Sequence, residues 1–318
     1  MKKFLIFGGT GFVGSQVCEK LNQQSCRVTV ATRRRDNARH LQLLPLLDIA
    51  EINLHDSAAL AALVAGHDAV VNLNAILHGS EDAFQKVHVK WPLELIRACK
   101  AAGVRRVVHI SALGASSESA SKYQRSKARG EAALLGAGLD VTVLRPSVIF
   151  GAGDKFLNTF ANLQQIFPVI PLAGSEARFQ PVWVGDVAAA VVRCLQDATT
   201  IGKVYEACGP EIFSLRQLVQ LAGSYAGIHH GQGRPVFGLP DALARLQAFV
   251  MELAPGEPML SRDNLDAMKT DNIASGTLPG LAALGITPAA LQAIGPTYLG
   301  DRGPRSSLFA KRKTSGRF

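Results

Sequence analysis

The sequence predicts an α/β fold: a doubly wound parallel sheet with a smaller C-terminal lobe. Three observations predict it. Short apolar runs alternate with helical stretches through the first 150 residues, a glycine-rich turn follows the first run, and the alternation loosens after Pro146. Strands that alternate with helices bury both faces of a parallel sheet. Right-handed crossovers then wind it in both directions.

The elements follow in order. Lys3–Phe7 is an apolar strand and Phe12–Gln23 a helix. Arg27–Thr32 is a strand, Asp48–Leu54 a weaker one, and Ser57–Ala65 a helix opened by Asp56 or Ser57 as cap. Ala69–Asn74 is a strand, and Pro92–Ala102 is a helix stopped by Gly103. Arg106–Ser111 is a strand, Ser121–Ala137 a helix and Val141–Leu144 a strand. Pro168, Pro171 and Gly174 then punctuate the chain. Pro181–Val184, Val187–Leu195 and Lys203–Cys208 are expected to rejoin the sheet as strand, helix and strand. The expected division is 1–150 with about 181–208 as the cofactor domain, and 151–180 with about 209–300 as the lobe. Residues 301–318 form a basic, disordered tail.

Composition narrows the function. The chain has 318 residues, 47% hydrophobic and 19% charged, which excludes wholesale disorder. No run of about 18 apolar residues suggests a membrane span. Of the net charge of +9, six positive charges fall in Arg302–Phe318, where no acid stands, leaving +3 for the body. A broad nucleic-acid-binding face is therefore not implied, and no nucleic-acid partner is expected. Five scattered cysteines with no CxxC pair point away from disulfides and zinc, and toward a reducing, cytoplasmic setting. The adjacent His229 and His230 lack partnered ligands, and no metal is expected.

The first strand runs into Gly8-Gly9-Thr10-Gly11-Phe12-Val13-Gly14, and a helix follows. Glycine permits the sharp turn, the approach of backbone to a pyrophosphate and close packing of helix on strand. The helix N-terminus adds free N–H groups and partial positive charge. A purely structural glycine turn is the competing explanation. Its position between strand and helix favours a Rossmann-type dinucleotide site with Gly8, Thr10, Gly11, Phe12, Val13 and Gly14 on the cofactor. The second strand ends at Thr32 with Arg33-Arg34-Arg35 beyond it, where NAD binders carry an acid. No carboxylate is expected there to repel a 2′-phosphate, and guanidinium groups suit one. NADP(H) is therefore favoured over NAD(H), with Arg33 and Arg34 as contacts, although arginines in a surface loop are also compatible with simple solvation.

Tyr123 and Lys127 stand at i and i+4 on one helix face. A nearby ammonium would lower the tyrosine pKa and let it exchange a proton with a substrate oxygen. Ser111, at the end of the preceding strand, would hydrogen-bond the same oxygen. Phe237–Leu253 carries Leu239, Leu243, Leu246, Phe249, Val250 and Leu253 at helical spacing. It reads as a lobe helix over the substrate cleft or, more sharply, as a docking face for a membrane or a partner.

Together the glycine turn, Ser111, Tyr123 and Lys127 resemble the short-chain dehydrogenase/reductase superfamily in its extended or atypical branch. Arg145–Gly151 and Gln180–Ala188 are similar to that family's nicotinamide-side segment and its later strand–helix junction. Lys155–Phe160, Pro168–Leu172, Ser261-Arg262-Asp263-Asn264 and Leu278–Leu281 resemble the NAD(P)H-binding accessory subunit family of respiratory complex I. The short N-terminus suggests a bacterial relative. The resemblance implies Asn53 and Leu54 near adenine, Asn74 and Ala75 near the adenine ribose, Pro146 near nicotinamide, and Lys127 on the nicotinamide ribose. It also implies an unknown, quinone-related or other carbonyl substrate for hydride transfer. The alternative it implies is a non-catalytic NADPH-binding role with a membrane-complex partner, peripheral to the inner membrane. The family's relay asparagine is His88 here, which either replaces that donor or leaves no relay.

Overall fold

The computed structural model describes residues 1–54, 56–253 and 260–300. The tail expected to be disordered lies outside the described residues. The first half runs β1 (Lys3–Phe7), α1 (Phe12–Gln23), β2 (Arg27–Thr32), β3 (Leu47–Glu51), α2 (Ser57–Val64), β4 (Ala69–Asn72) and α3 (Glu81–Phe84). A π-helical segment, Gln85–Lys90, leads into α4 (Trp91–Ala102), β5 (Arg106–Ile110), α5 (Lys122–Leu135) and β6 (Asp140–Pro146). The chain continues through β7 (Ile149–Phe150), α6 (Leu157–Ile166), β8 (Ile170–Leu172), β9 (Arg178–Phe179), β10 (Val182–Trp183), α7 (Val184–Gln196) and β11 (Val204–Ala207). Then come β12 (Phe213–Ser214), α8 (Leu215–Tyr225), β13 (Val236–Gly238), α9 (Asp241–Leu253), α10 (Arg262–Ala267) and α11 (Leu291–Leu299).

Seven parallel strands form one sheet in the order β3-β2-β1-β4-β5-β6-β11. The strand order reverses direction at β1, the doubly wound arrangement. The pleat sends alternate residues to opposite faces. Phe4 and Ile6 of β1 enter one core with Val17 and Leu21 of α1 and Val187 and Val191 of α7. Leu5 and Phe7 enter the other with Leu60 of α2, Leu95 of α4 and Leu134 of α5. A third core gathers Phe150, Leu157, Leu215, Leu218, Val236 and Leu291.

Two expectations need correction. Pro181–Val184 does not rejoin the main sheet; Val182 and Trp183 pair with Ile149 and Phe150 in a separate two-stranded ladder. Trp183 is already the N-cap of α7, so the strand has no length with which to reach the sheet. Only Val204–Ala207 returns, beside β6. Second, the bulky stripe of α9 is not packed over a cleft. Ala244 and Ala248 are the buried pair, while Leu243, Leu246, Phe249, Val250 and Leu253 are exposed. The small alanines let the helix lie close to the body, which turns its large side chains outward. No helix among the described residues is long and apolar enough to cross a membrane.

Candidate active site

Loops leaving the C-terminal ends of β1 to β6 meet along one edge of the sheet, and the site residues expected from the sequence lie along that edge. Gly8 follows β1 with φ +79°. Its carbonyl accepts the Gly11 N–H at 3.1 Å, closing the turn. Gly11 is the N-cap of α1 and offers no side chain to cap it. The first-turn amides of Phe12, Val13 and Gly14 therefore remain for an external anion. A Cβ at Gly14 would collide with the Gly8 carbonyl oxygen and lie 2.6 Å from Gly9 Cα. Only glycine lets α1 pack this tightly on the turn. Thr10 is half-buried in the turn.

Thr32, at the end of β2, organises the arginines. Its Oγ1 donates to the Arg34 carbonyl at 3.0 Å and accepts the Arg34 N–H at 3.4 Å. Arg33 and Arg34 are exposed, and no ion pair among the described residues holds either guanidinium. The expectation that no carboxylate stands at this point is corrected. Glu51 pairs with Thr32 across β2 and β3, and its Oε2 accepts the Arg35 N–H at 3.1 Å. The acid lies one strand away in space and 19 positions away in sequence, so inspection of the residues after Thr32 does not reveal it. Asn53 and Leu54 sit in the loop after β3, where the Asn53 carbonyl accepts the Asp56 N–H. After β4, the Asn74 N–H donates to Asn72 Oδ1 at 3.3 Å, and Ala75 is exposed. Pro146 closes β6, buried, with its carbonyl accepting the Leu113 N–H at 2.9 Å.

Ser111 follows β5 and is 3% exposed, yet its Oγ has no hydrogen-bond partner. Lys127, 2% exposed, donates from Nζ to the Ile110 carbonyl at 2.7 Å. That bond ties α5 to the end of β5, one residue before Ser111. Tyr123 lies one turn earlier on α5, on the same helix face. Its hydroxyl makes no hydrogen bond to a described residue. Burial pushes the Tyr123 phenol up to about 12, although part of the residue remains accessible. The expected lowering by Lys127 is therefore corrected. The ammonium faces the Ile110 carbonyl, and desolvation dominates the phenol. Desolvation also lowers the Lys127 ammonium to about 8, partly opposed by Glu131.

His88 shows what stands in the relay position. It lies in the π-helical segment, and its Nε2 accepts the Ile76 N–H at 3.2 Å. Its Nδ1 is 2.8 Å from Ser126 Oγ, which donates to the Tyr123 carbonyl. Ser126 has one hydroxyl proton, so Nδ1 is the donor in that pair, and the imidazole is neutral. Burial, with Lys127 nearby, lowers its pKa to about 3. Both nitrogens are committed, so the ring meets Tyr123 only edge-on, centroids 5.4 Å apart. Gly130 of α5 makes this packing possible, because a Cβ there would collide with the His88 carbonyl oxygen.

A residue that motif reading did not assign to the site is Asp263, on α10. It accepts hydrogen bonds from Ser121 Oγ, the Lys122 N–H and the Tyr123 N–H. No local pattern marks a helix cap 140 positions away.

The family model described as NAD dependent epimerase/dehydratase family matches residues 4–208. The chain belongs to this family. Relatives that it resembles include the NADH dehydrogenase [ubiquinone] 1 alpha subcomplex subunit 9, mitochondrial, of Mus musculus. That protein is 32% identical over 294 residues, covering 90% of this chain and 77% of the relative. The ceramide reductase of Caulobacter vibrioides is 28% identical over 188 residues, covering 59% of each chain. Among solved structures, an NADPH-dependent quinone oxidoreductase from Escherichia coli complexed with NADPH superposes with a TM-score of 0.75. It is 22% identical, with 94% of this chain and 100% of that one covered, and it shows the fold. Membership of the epimerase/dehydratase family means a dinucleotide cofactor, and the likeness to the extended reductases and to complex I subunits stands. The residues present fit such a cofactor: uncapped amides at α1, a glycine cradle that a Cβ would fill, and an unpartnered buried hydroxyl at Ser111.

Proposed function

We propose that the protein is an NADP(H)-dependent oxidoreductase acting on a carbonyl or alcohol substrate. The observation that carries this reading is the buried Ser111 Oγ without a partner, at the end of the strand against which Lys127 holds α5. A buried hydroxyl left unpaired costs about 1–3 kcal/mol, which a substrate oxygen would offset. Bound NADP(H) supplies or accepts the hydride. Gly8, Thr10, Gly11, Phe12, Val13 and Gly14 hold its pyrophosphate, and Arg33 and Arg34 its 2′-phosphate. Asn53, Leu54, Asn74 and Ala75 bound the adenosine half, and Pro146 the nicotinamide side. Lys127 orients the nicotinamide ribose, Ser111 hydrogen-bonds the substrate oxygen, and Tyr123 Oη donates a proton to it. A phenol that stays protonated suits the direction of carbonyl reduction.

The sequence likeness to a complex I subunit over 90% of the chain favours a second reading, a non-catalytic NADPH-binding component of a membrane complex. One comparison separates the two. The purified protein is assayed for bound nucleotide and for NADPH oxidation with a panel of quinones and small carbonyls, wild type against Tyr123→Phe. The first reading expects turnover that the variant lowers by about 10²–10⁴-fold with nucleotide retained. Bound nucleotide with no turnover on any panel member, and co-purification with membranes, supports the second. For the cofactor, Arg33→Ala is expected to weaken NADPH about 10- to 150-fold more than NADH, the range of one charge-assisted contact. Equal loss for both would remove the 2′-phosphate role.

A further inference from the structure

We propose that Asp263 is a positioning residue that holds Tyr123 in place from the C-terminal lobe; this rests on the reading of Tyr123 as the proton donor. Tyr123 is the second residue of α5, in the turn whose N–H groups have no acceptor within the helix. The side chain of Ser121, the N-cap, accepts only the Gln124 N–H, at 3.3 Å. The Lys122 and Tyr123 N–H groups instead donate to the two carboxylate oxygens of Asp263, at 2.6 and 3.2 Å. Ser121 Oγ donates to the same carboxylate at 2.8 Å. A negative charge at a helix N-terminus is also favourable to the dipole.

Asp263 is itself held firmly. A reciprocal cap between Ser261 and Asn264 fixes the start of α10. Arg262 pairs with Glu252 of α9 at 2.9 Å and lies over the Phe249 ring. Asp266 pairs with Arg245 of α9 at 3.1 Å. The α9–α10 unit therefore reaches the first turn of α5 through one carboxylate. Lys127 is anchored separately, to Ile110. Without Asp263 the Tyr123 turn loses its external acceptors while Lys127 keeps its own. The aromatic contacts of Tyr123 with Phe84 and His88 have no directional bond to its hydroxyl and do not replace them.

The test compares full-length wild type, Asp263→Asn and Asp263→Ala. Steady-state NADPH oxidation is one measurement, and the ¹³Cζ-tyrosine NMR spectrum is the other, with Tyr123 assigned through Tyr123→Phe. Asp263→Ala is expected to lower kcat about 2- to 30-fold with the KM for NADPH unchanged, the range a lost helix cap represents at about 1.4 kcal/mol per tenfold. Its Tyr123 resonance shifts or broadens while those of Tyr205, Tyr225 and Tyr298 stay. Asp263→Asn keeps one acceptor oxygen and falls between the two. If the wild type turns nothing over but the Tyr123 resonance alone responds, the proton-donor reading fails and the positioning stands. An unmoved Tyr123 resonance, or four tyrosines moving together with a fall in Tm, overturns it.

Discussion

At Ser111 the molecule keeps a hydroxyl in a place where stability alone would favour a methyl. The side chain is buried and its Oγ is unpaired. Ser111→Ala is therefore expected to leave Tm unchanged or raise it, by up to about 1–3 kcal/mol of unfolding free energy, while lowering turnover. Calorimetry and NADPH oxidation on the same preparation check this; a lower Tm would mean that Ser111 has a structural partner. Ser111, Tyr123 and Lys127 were legible because their order along the chain follows the order of elements at the sheet edge. Glu51 and Asp263 were not, because register and lobe packing bring them in across 19 and 140 positions. Glu51 also qualifies the cofactor preference, because its carboxylate stands beside the arginines that would receive a 2′-phosphate.

At the scale of elements, most strands and helices followed from apolar runs and their stops. Gly103, for example, ends α4 in the left-handed region, as its position suggested. The π-helical segment at Gln85–Lys90 was not legible, since no residue pattern encodes one extra residue per turn. Its consequence is titratable. His88 is lowered to about 3, against 6.5 for the free side chain, because burial disfavours its charge. Between those values the unfolded chain binds more protons than the folded one, so stability rises with pH through that window and falls on acidification. His109, buried beside Asn72, adds in the same direction. The unfolding free energy from urea titrations is expected to drop from pH 7 to pH 5 by about 1.4 kcal/mol per pH unit for each such histidine at full effect. His88→Asn should flatten this slope; an unchanged slope would assign the acid sensitivity elsewhere.

For the whole molecule, five cysteines are buried and free. Burial pushes Cys18, Cys99, Cys194 and Cys208 up to about 12, against 9.0 for an ordinary thiol. Above pH 9 the unfolded chain releases these protons first, so the native state binds more protons and stability falls as pH rises. Lys127, lowered to about 8, works the other way but is one group against four. Unfolding followed from pH 8 to 10.5 is therefore expected to show loss beginning near pH 9, and Cys99→Ala should reduce its steepness. Stability that rises throughout would contradict this balance.

The strand order also has a consequence for synthesis. β6 is joined on one side by β5, which ends 30 positions before it, and on the other by β11, which starts 58 positions after Pro146 leaves the sheet. While the ribosome is still producing the intervening segment, β6 is an open edge with unpaired backbone groups, and such edges recruit other nascent chains. Expression truncated just after residue 150 should therefore yield aggregates, whereas release after Ala207 lets the nascent chain cover its own edge.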